Sequence, residues 1–315
     1  MPSLSFDEGE HGRAVALVKG GEDDGSVLYL HSEDSRGRKP KPWINRLKYK
    51  GALRHLTSGQ KTRAFVALEE ALQAGRPSSV FHADPELEAI YERCVRDSTS
   101  MKEIELDDEG RFELLPSPDP KKREVWYIAG QSGSGKSFIA KGIADMYHKL
   151  FPDRGVYLIS KLKEDATLDQ CKFIKRIKID SLIDDYPELE EFRDTCLIFD
   201  DYDTLTGPAQ KTVEKLIDDL AIMGRHTNTS MLCLSHFLTN YKKTRLILSE
   251  ATQMVVYPQS TSYHALKHLL HNYAGVDEDD LKRHIKLGSR WLCYFKGYPS
   301  LMVSQRDAEL LHQRK

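Results

Sequence analysis

The chain has 315 residues, of which 40% are hydrophobic and 30% charged, and its formal net charge is -2. These values are typical of a soluble globular protein and not of a disordered or membrane protein. The longest apolar runs are strand-sized, and the N-terminus lacks the basic start and apolar stretch of a secretory signal. The sequence therefore predicts a cytoplasmic protein without a membrane span.

Residues 1–115 predict a small α+β region. Alternating apolar residues indicate strands, and apolar positions at helical spacing indicate helices. The predicted elements are a β-hairpin of strands 14–18 and 27–30, helices over 60–74 and 84–96, and a second hairpin over 103–115 that turns at 107–110.

A basic segment spans residues 36–63 of this region. It holds ten lysines and arginines and no acidic residue, with Trp43 and Tyr49 interleaved. Such a segment fits contact with nucleic-acid phosphates, whose binding is driven by counterion release, and it equally fits a solvated basic loop. The residues considered for DNA contact are Arg36, Arg38, Lys39, Lys41, Arg46, Lys48 and Lys50.

A proline-rich linker over residues 116–122 precedes a second domain over 123–315. In this domain strand-sized apolar runs alternate with helical patterns, which predicts a mainly parallel sheet in an α/β fold. The predicted strands are 125–129, 155–160, 173–179, 195–199, 231–234 and 254–257, and the predicted helices include 135–150 and one from Pro208 to Gly224.

Eight residues between the first predicted strand and helix of this domain match the phosphate-binding pattern GxxxxGK[ST] at every fixed position. They are Gly130, Gln131, Ser132, Gly133, Ser134, Gly135, Lys136 and Ser137. Glycines let such a loop wrap so that backbone N–H groups point at phosphate oxygens, and the following helix adds its positive N-terminal end. Lys136 would reach the β- and γ-phosphates, and the Ser137 hydroxyl would ligate Mg²⁺. We therefore predict a P-loop nucleotide site.

A second element supports this site. The apolar run 196–199 is followed directly by Asp200 and Asp201. Asp200 would hold a water bound to Mg²⁺. Asp201 is placed to orient and partly deprotonate the attacking water, because phosphoryl transfer needs positioning and charge stabilisation more than covalent chemistry. The alternative is a solvated acidic loop.

The motifs of this domain occur in an order that resembles that of a known family. The loop ends in GSGKS, the later strand ends in two acids, and Gly224-Arg225-His226-Thr227-Asn228 precedes the next strand. Over residues 123–305 the chain resembles the poxvirus-type virion DNA-packaging ATPases of large DNA viruses, a branch of the FtsK/HerA family. An apolar segment over 291–303 that contains Pro299 looks like the C-terminal hairpin of that family. Residues 1–120 carry no part of the resemblance.

The resemblance implies a RecA/FtsK-HerA-like fold, ATP and Mg²⁺ as cofactors, and DNA translocation as the activity. Arg225 would be an arginine finger inserted into the neighbouring subunit's site, where a guanidinium can donate two hydrogen bonds to phosphate oxygens. The alternative is that Arg225 pairs with the negative C-terminal end of its own helix. Ser235 and His236 stand where the family usually has a polar sensor, commonly glutamine. The second acid is more often glutamate in the family, whereas here it is Asp201.

The partners that the resemblance implies are double-stranded DNA, a homo-oligomeric ring of like subunits, and capsid or portal-vertex proteins. A viral protein of this kind would work at the assembly site in the host cytoplasm or in the virion. Two other functions fit the P-loop alone. One is a P-loop kinase acting on a nucleotide or small acceptor, and the other is a structural virion protein that binds nucleotide only to fold.

Overall fold

The computed structural model describes residues 2–9, 12–32, 44, 46–49, 51–77, 81, 84–97 and 101–311. These residues form two compact units. The first runs to Glu113 and includes Arg306–Leu310, and the second comprises Leu114–Gln305 and continues from Leu311. The predicted boundaries of 1–115, 116–122 and 123–315 did not foresee the return of Arg306–Leu310 to the first unit, and the assignment of separate domains remains a prediction.

The described residues of the first unit form short strands and three α-helices. Its four-stranded sheet has the order β1-β3-β2-β5, and β4 pairs with β14 in antiparallel fashion. The bounds are β1 (Ser3–Ser5), β2 (Arg13–Lys19), β3 (Val27–His31), α1 (Arg46–Tyr49), α2 (Ser58–Ala74), α3 (Pro85–Asp97), β4 (Glu103–Glu105), β5 (Arg111–Leu114) and β14 (Asp307–Leu310). The predicted hairpin of β2 and β3 is confirmed, as are the two predicted helices.

The predicted hairpin over 103–115 is wrong in its pairing. The turn is present, because the Asp107 carboxylate accepts hydrogen bonds from the backbone N–H groups of Glu22, Glu109 and Gly110. However, β4 pairs with β14, and β5 lies beside β2. The two strands on either side of the turn therefore pair with different strands and not with each other.

The second unit is a mostly parallel sheet with helices between its strands. Its strand order is β13-β12-β11-β6-β10-β9-β7-β8. The bounds are β6 (Val125–Ala129), α4 (Lys136–Leu150), β7 (Val156–Ser160), β8 (Ile174–Arg176), α5 (Ile179–Asp184), β9 (Cys196–Asp200), α6 (Gly207–Met223), β10 (Ser230–Ser235), α7 (Tyr241–Glu250), β11 (Gln253–Val256), α8 (Tyr263–Asn272), α9 (Glu278–Lys286), β12 (Leu292–Phe295) and β13 (Leu301–Ser304). A short 3-10 helix over Tyr202–Thr204 follows β9.

The strands from β11 to β8 are parallel, and β12 and β13 form an antiparallel hairpin at the end of this series. The predicted α/β P-loop fold with a mainly parallel sheet and a small α+β N-terminal region is confirmed, and so is the late hairpin. Within the described residues, none of the helices is both long and apolar enough to cross a membrane.

The central strands are buried along their whole length, which explains their continuous apolar sequences. All five residues of β9 are buried, and so are all six of β10. Helix α6 covers the sheet with the predicted residues Val213, Leu216, Ile217 and Leu220. Burial of each such side chain stabilises the fold by about 1.5–3 kcal/mol.

The topology brings three strand ends together. β10 lies between β6 and β9 and is parallel to both, so the carboxyl ends of the three strands meet at one edge of the sheet. In open α/β sheets, ligands bind at this edge. The loops that follow Ala129, Asp200 and Ser235 therefore form the candidate site.

Candidate functional site

The glycine-rich loop connects β6 to α4, as predicted. Gly133 and Gly135 have φ values of 76° and 113°, which residues other than glycine rarely adopt. A Cβ atom on Gly130 would lie 2.6 Å from Cδ2 of Tyr257 and 2.7 Å from Oγ of Ser134. The loop therefore requires glycine at these positions, and it leads directly into the N-terminus of a 15-residue helix. This is the arrangement that cradles phosphate.

Lys136 lies within this loop and is 7% exposed. Its Nζ atom donates hydrogen bonds to the carbonyl oxygens of Gly130 (2.9 Å) and Gln131 (3.2 Å). Burial lowers the pKa of the ammonium, and the carboxylates of Asp201 and Asp200 counteract the shift. The cation is therefore partly desolvated beside two acids, which suits a site for an anion and a metal ion together.

One polar atom of the loop has no protein partner. The Oγ atom of Ser134 is buried and makes no hydrogen bond within the described part of the chain. A buried polar atom without a partner is costly. The unpartnered Ser134 hydroxyl and the space that only glycine leaves at position 130 both fit a loop that closes around phosphate oxygens.

The two acids lie at the carboxyl end of β9, as predicted. Asp200 is 3% exposed and accepts a hydrogen bond from Ser160 Oγ at 3.3 Å. Burial raises its pKa to about 6, with smaller contributions from Asp201 and Asp165. A desolvated carboxylate among like charges is the kind of group that a divalent cation stabilises. Asp201 follows in the left-handed region at φ 50° and is partly exposed.

The raised pKa of Asp200 predicts a pH-dependent cost in stability. The unfolded chain ionises this carboxyl near the ordinary pKa of 3.8, whereas the folded chain does so only near 6. Raising the pH from about 4 to 6 therefore favours the unfolded state, and the cost is complete above that range. Without Mg²⁺ or nucleotide, Asp200→Asn should raise the free energy of unfolding at pH 8 by on the order of 2–3 kcal/mol.

Chemical denaturation at several pH values measures this effect. The gain should fall below about 1 kcal/mol at pH 4, where the folded state still holds the proton and the unfolded state has lost it in only about half of the molecules. Added Mg²⁺ should stabilise the wild type more than the variant. A gain that is equal at pH 4 and pH 8 would contradict the assignment of the shift to Asp200.

The two sensor candidates are the last residue of β10, Ser235, and the residue after it, His236. They lie at the same edge of the sheet as the P-loop and the two acids. Ser235 is fully buried, and its Oγ donates to Asp203 Oδ2 at 2.9 Å. The His236 ring places Nδ1 3.2 Å from Asp203 Oδ1 and Nε2 3.5 Å from Asp201 Oδ1. The structure therefore brings both candidates against the acids, with His236 facing the proposed catalytic carboxylate.

Two residues of the site were not foreseen. Asp203 is the third acid of the run Asp200-Asp201-Tyr202-Asp203, and its closeness to the other acids was the available signal. Arg290 donates from Nε to the carbonyl oxygen of Ser134 at 3.2 Å and so supports the loop from outside. No local pattern marks Arg290, because it lies far along the chain from the loop.

Arg225 lies at the opposite edge of the sheet. It precedes the amino end of β10, whereas the P-loop follows the carboxyl end of β6, and a strand of this length spans roughly 17–20 Å. Its side chain is exposed. It is Arg123 that donates to the last carbonyls of α6, those of Leu220 and Ala221. Among the described residues, none forms a hydrogen bond or ion pair with the Arg225 guanidinium.

The segment around Arg225 is held in a defined turn. The backbone N–H of Thr229 donates to the carbonyl of Gly224 at 2.8 Å, and Asn228 Nδ2 donates to Asp194 Oδ1 at 2.6 Å. The hydroxyl of Thr227 donates to the Gly224 carbonyl. The turn therefore presents an exposed guanidinium from a fixed backbone, away from the P-loop of its own chain.

The basic segment lies mostly outside the described residues. Arg36, Arg38, Lys39, Lys41 and Lys50 are not among them, and of Lys48 only the position within α1 is described. Arg46 pairs with Glu69 through two hydrogen bonds, from Nε at 2.8 Å and from Nη2 at 2.9 Å. A contact with DNA would have to compete with this pair, and the DNA contact remains a prediction.

Comparison with known proteins shows a clear similarity to a viral protein. The chain is 36% identical over 206 residues, or 64% of its length, to the uncharacterized protein V3 of Sputnik virophage, and the match covers 82% of that protein. No protein-family model matches the chain.

Two solved structures illustrate its more distant similarities. One is the genome packaging NTPase B204 of Sulfolobus turreted icosahedral virus 2 in complex with ATP-gammaS, with 15% identity, a TM-score of 0.39, and 60% of this chain and 98% of that chain covered. The other is the cytoplasmic domain of the type VII secretion ATPase EccC of Thermomonospora curvata, with 15% identity, a TM-score of 0.45, and coverage of 64% and 28%. Similarities this low transfer no function.

Proposed function

This chain belongs to the same family as the uncharacterized Sputnik virophage protein, and we propose that it is an ATP-hydrolysing DNA translocase that packages a viral genome into a capsid. The support comes from the site, from the order of its motifs, and from the viral source of the relative. Its partners would be double-stranded DNA and capsid or portal-vertex proteins, and its place would be the assembly site in the host cytoplasm or the virion.

The site residues have distinct roles in this proposal. The loop from Gly130 to Gly135 would bind the triphosphate of ATP through its backbone N–H groups. Lys136 would balance charge on the β- and γ-phosphates. Ser137 and Asp200 would hold Mg²⁺, Asp200 in part through water, and the ion would neutralise charge that develops on the phosphate oxygens. Asp201 would orient the attacking water.

The single observation that carries the proposal of a motor is the position of Arg225. A guanidinium that lies at the far edge of the sheet cannot reach the phosphates bound by its own chain. In a closed ring, the same head-to-tail interface repeats, so the arginine of each subunit can complete the site of the next. We therefore propose that the active form is a homo-oligomeric ring in which Arg225 acts in trans.

DNA-dependent hydrolysis tests this function. We expect the rate of ATP hydrolysis to rise when double-stranded DNA is added, because a DNA motor turns over ATP only when DNA is bound. The stimulation should weaken steeply as salt increases from about 50 to 200 mM, since contacts with DNA phosphates release counterions. Phosphate release measured over a series of DNA and salt concentrations gives both results, with Lys136→Ala as the inactive control.

The outcomes separate this proposal from its two rivals. A kinase would consume ATP in response to its acceptor and ignore DNA. A structural protein would bind ATP without turnover. Either result would contradict the proposal.

A further inference from the structure

A buried acid lies next to the proposed catalytic centre. Asp203 is in the short helix Tyr202–Thr204, and its side chain is 2% exposed. Its carboxylate accepts hydrogen bonds from Ser235 Oγ (2.9 Å), the His236 backbone N–H (2.7 Å) and His236 Nδ1 (3.2 Å). A buried carboxylate is costly unless it is paired in this way. The three contacts therefore hold the carboxylate and the imidazole in one arrangement.

The loop that carries His236 is also tied to the P-loop. The Gly130 backbone N–H donates to the carbonyl oxygen of Ser235 at 3.0 Å. The hydroxyl of Tyr127, on the P-loop strand, donates to the carbonyl oxygen of Phe237 at 2.5 Å. His236 is thus fixed on both sides with respect to the loop that would bind the triphosphate.

The contact with Asp203 determines which ring nitrogen carries a proton. A carboxylate only accepts hydrogen bonds, so Nδ1 of His236 must be the donor. In the neutral ring, Nε2 then carries a lone pair, and this atom faces Asp201 Oδ1 at 3.5 Å. With the ring neutral, two acceptors at this distance repel each other unless both accept from a shared donor beside them. A water molecule, which has two O–H groups, can donate to both.

In the proposed function Asp201 orients the attacking water, and His236 is a sensor candidate beside it. We propose that Asp203 is the positioning residue that fixes the His236 ring, so that Nε2 accepts a hydrogen bond from the water that attacks the γ-phosphate. The inference rests on the proposed ATP hydrolysis, and it names the groups that bind the nucleophile. The water oxygen bonds to the γ-phosphorus while the bond from that phosphorus to the bridging oxygen breaks, leaving its electron pair on ADP. The proton of the water passes to Asp201 or His236 and then to solvent.

The substitution Asp203→Asn tests the positioning role. The amide oxygen can still accept from Ser235 and from the His236 N–H, but the amide NH₂ then faces Nδ1 as a donor. The ring must accept at Nδ1 and carries its proton on Nε2, so it no longer accepts from water. We expect kcat to fall by about tenfold or more, below the 10²–10⁴-fold effect of a group that itself transfers the proton. The KM for ATP and the affinity for ATP should stay within about twofold.

A double-mutant cycle shows whether Asp203 acts through His236. We expect His236→Ala to lower kcat with unchanged ATP affinity, and Asp203→Asn to cost less than about twofold more in that background, because residues that act as a unit are not additive. Asp184→Asn, an exposed aspartate on α5, is the matched control and should behave as wild type. Thermal unfolding and ATP binding of each variant are measured alongside.

Three results overturn the inference. The first is a normal kcat in Asp203→Asn, and the second is a full additional loss of kcat when Asp203→Asn is added to His236→Ala. The third is a normal kcat in His236→Ala, which overturns the inference even if Asp203→Asn does not fold. The wild type is assayed in parallel with and without DNA. If it hydrolyses ATP in response to DNA while these variants behave as wild type, only this inference fails. If the wild type hydrolyses no ATP, the proposed function fails as well.

Discussion

Replacing Lys136 with alanine is expected to reduce ATP hydrolysis by on the order of 10²–10³-fold. The ammonium lies inside the loop that would bind the β- and γ-phosphates, against the carbonyl oxygens of Gly130 and Gln131. Removing one well-placed group that stabilises transition-state charge costs on the order of 10²–10³-fold in kcat. Because this cation also contacts the ground-state triphosphate, binding of ATP should weaken as well.

Hydrolysis rates and nucleotide affinity measured together check this expectation. Lys149→Ala is a matched control, since Lys149 is an exposed lysine in the last turn of the same helix. It should retain normal binding and turnover. Wild-type turnover in Lys136→Ala would mean that the glycine-rich loop is not the catalytic nucleotide site.

Replacing Arg225 with alanine is expected to leave ATP binding intact and to reduce turnover by roughly 10³-fold or more. The side chain is exposed at the edge of the sheet opposite the P-loop, so it contributes nothing to binding within its own chain. Its effect would come from the neighbouring site, where a guanidinium would stabilise the charge on the transferring phosphoryl group. Arg225→Lys should recover only part of the activity, because an ammonium keeps the charge but loses the forked geometry.

The matched control for this variant is Arg193→Ala. Arg193 is exposed near the same turn, but its guanidinium is held within its own chain: it pairs with Glu190 at 2.5 Å and 2.8 Å and donates to the His226 carbonyl oxygen at 3.3 Å. It should not enter a neighbouring site, and its removal should change turnover little. Equal turnover in Arg225→Ala and wild type would remove Arg225 from the mechanism.

The positions of the candidate nucleotide site were predictable because its residues are local in the sequence. The residues from Gly130 to Ser137 are consecutive, and the strand and helix that flank them have clear apolar patterns. Asp200 and Asp201 were found for the same reason, since a fully buried strand ends at them. Their convergence at one edge followed from the parallel arrangement of the strands, which the alternation of strands and helices indicated.

Contacts between distant segments were not predictable in this way. β4 pairs with β14, and Arg290 supports the P-loop, but in neither case does a local pattern point to the partner. Asp203 was missed for a different reason. A run of acids usually indicates a solvated loop, and only the fold shows that Asp203 turns inward to bind Ser235 and His236.

The central claim is that hydrolysis occurs at a site completed by the neighbouring subunit. Mixing Arg225→Ala with Lys136→Ala tests it most directly, with ATP hydrolysis measured in the presence of double-stranded DNA. Each variant alone should be inactive. In mixed rings, some interfaces join an intact P-loop from one variant to an intact Arg225 from the other, so activity should partly return. If the mixture stays as inactive as its components while subunit exchange is verified, the site is not shared and the account is contradicted.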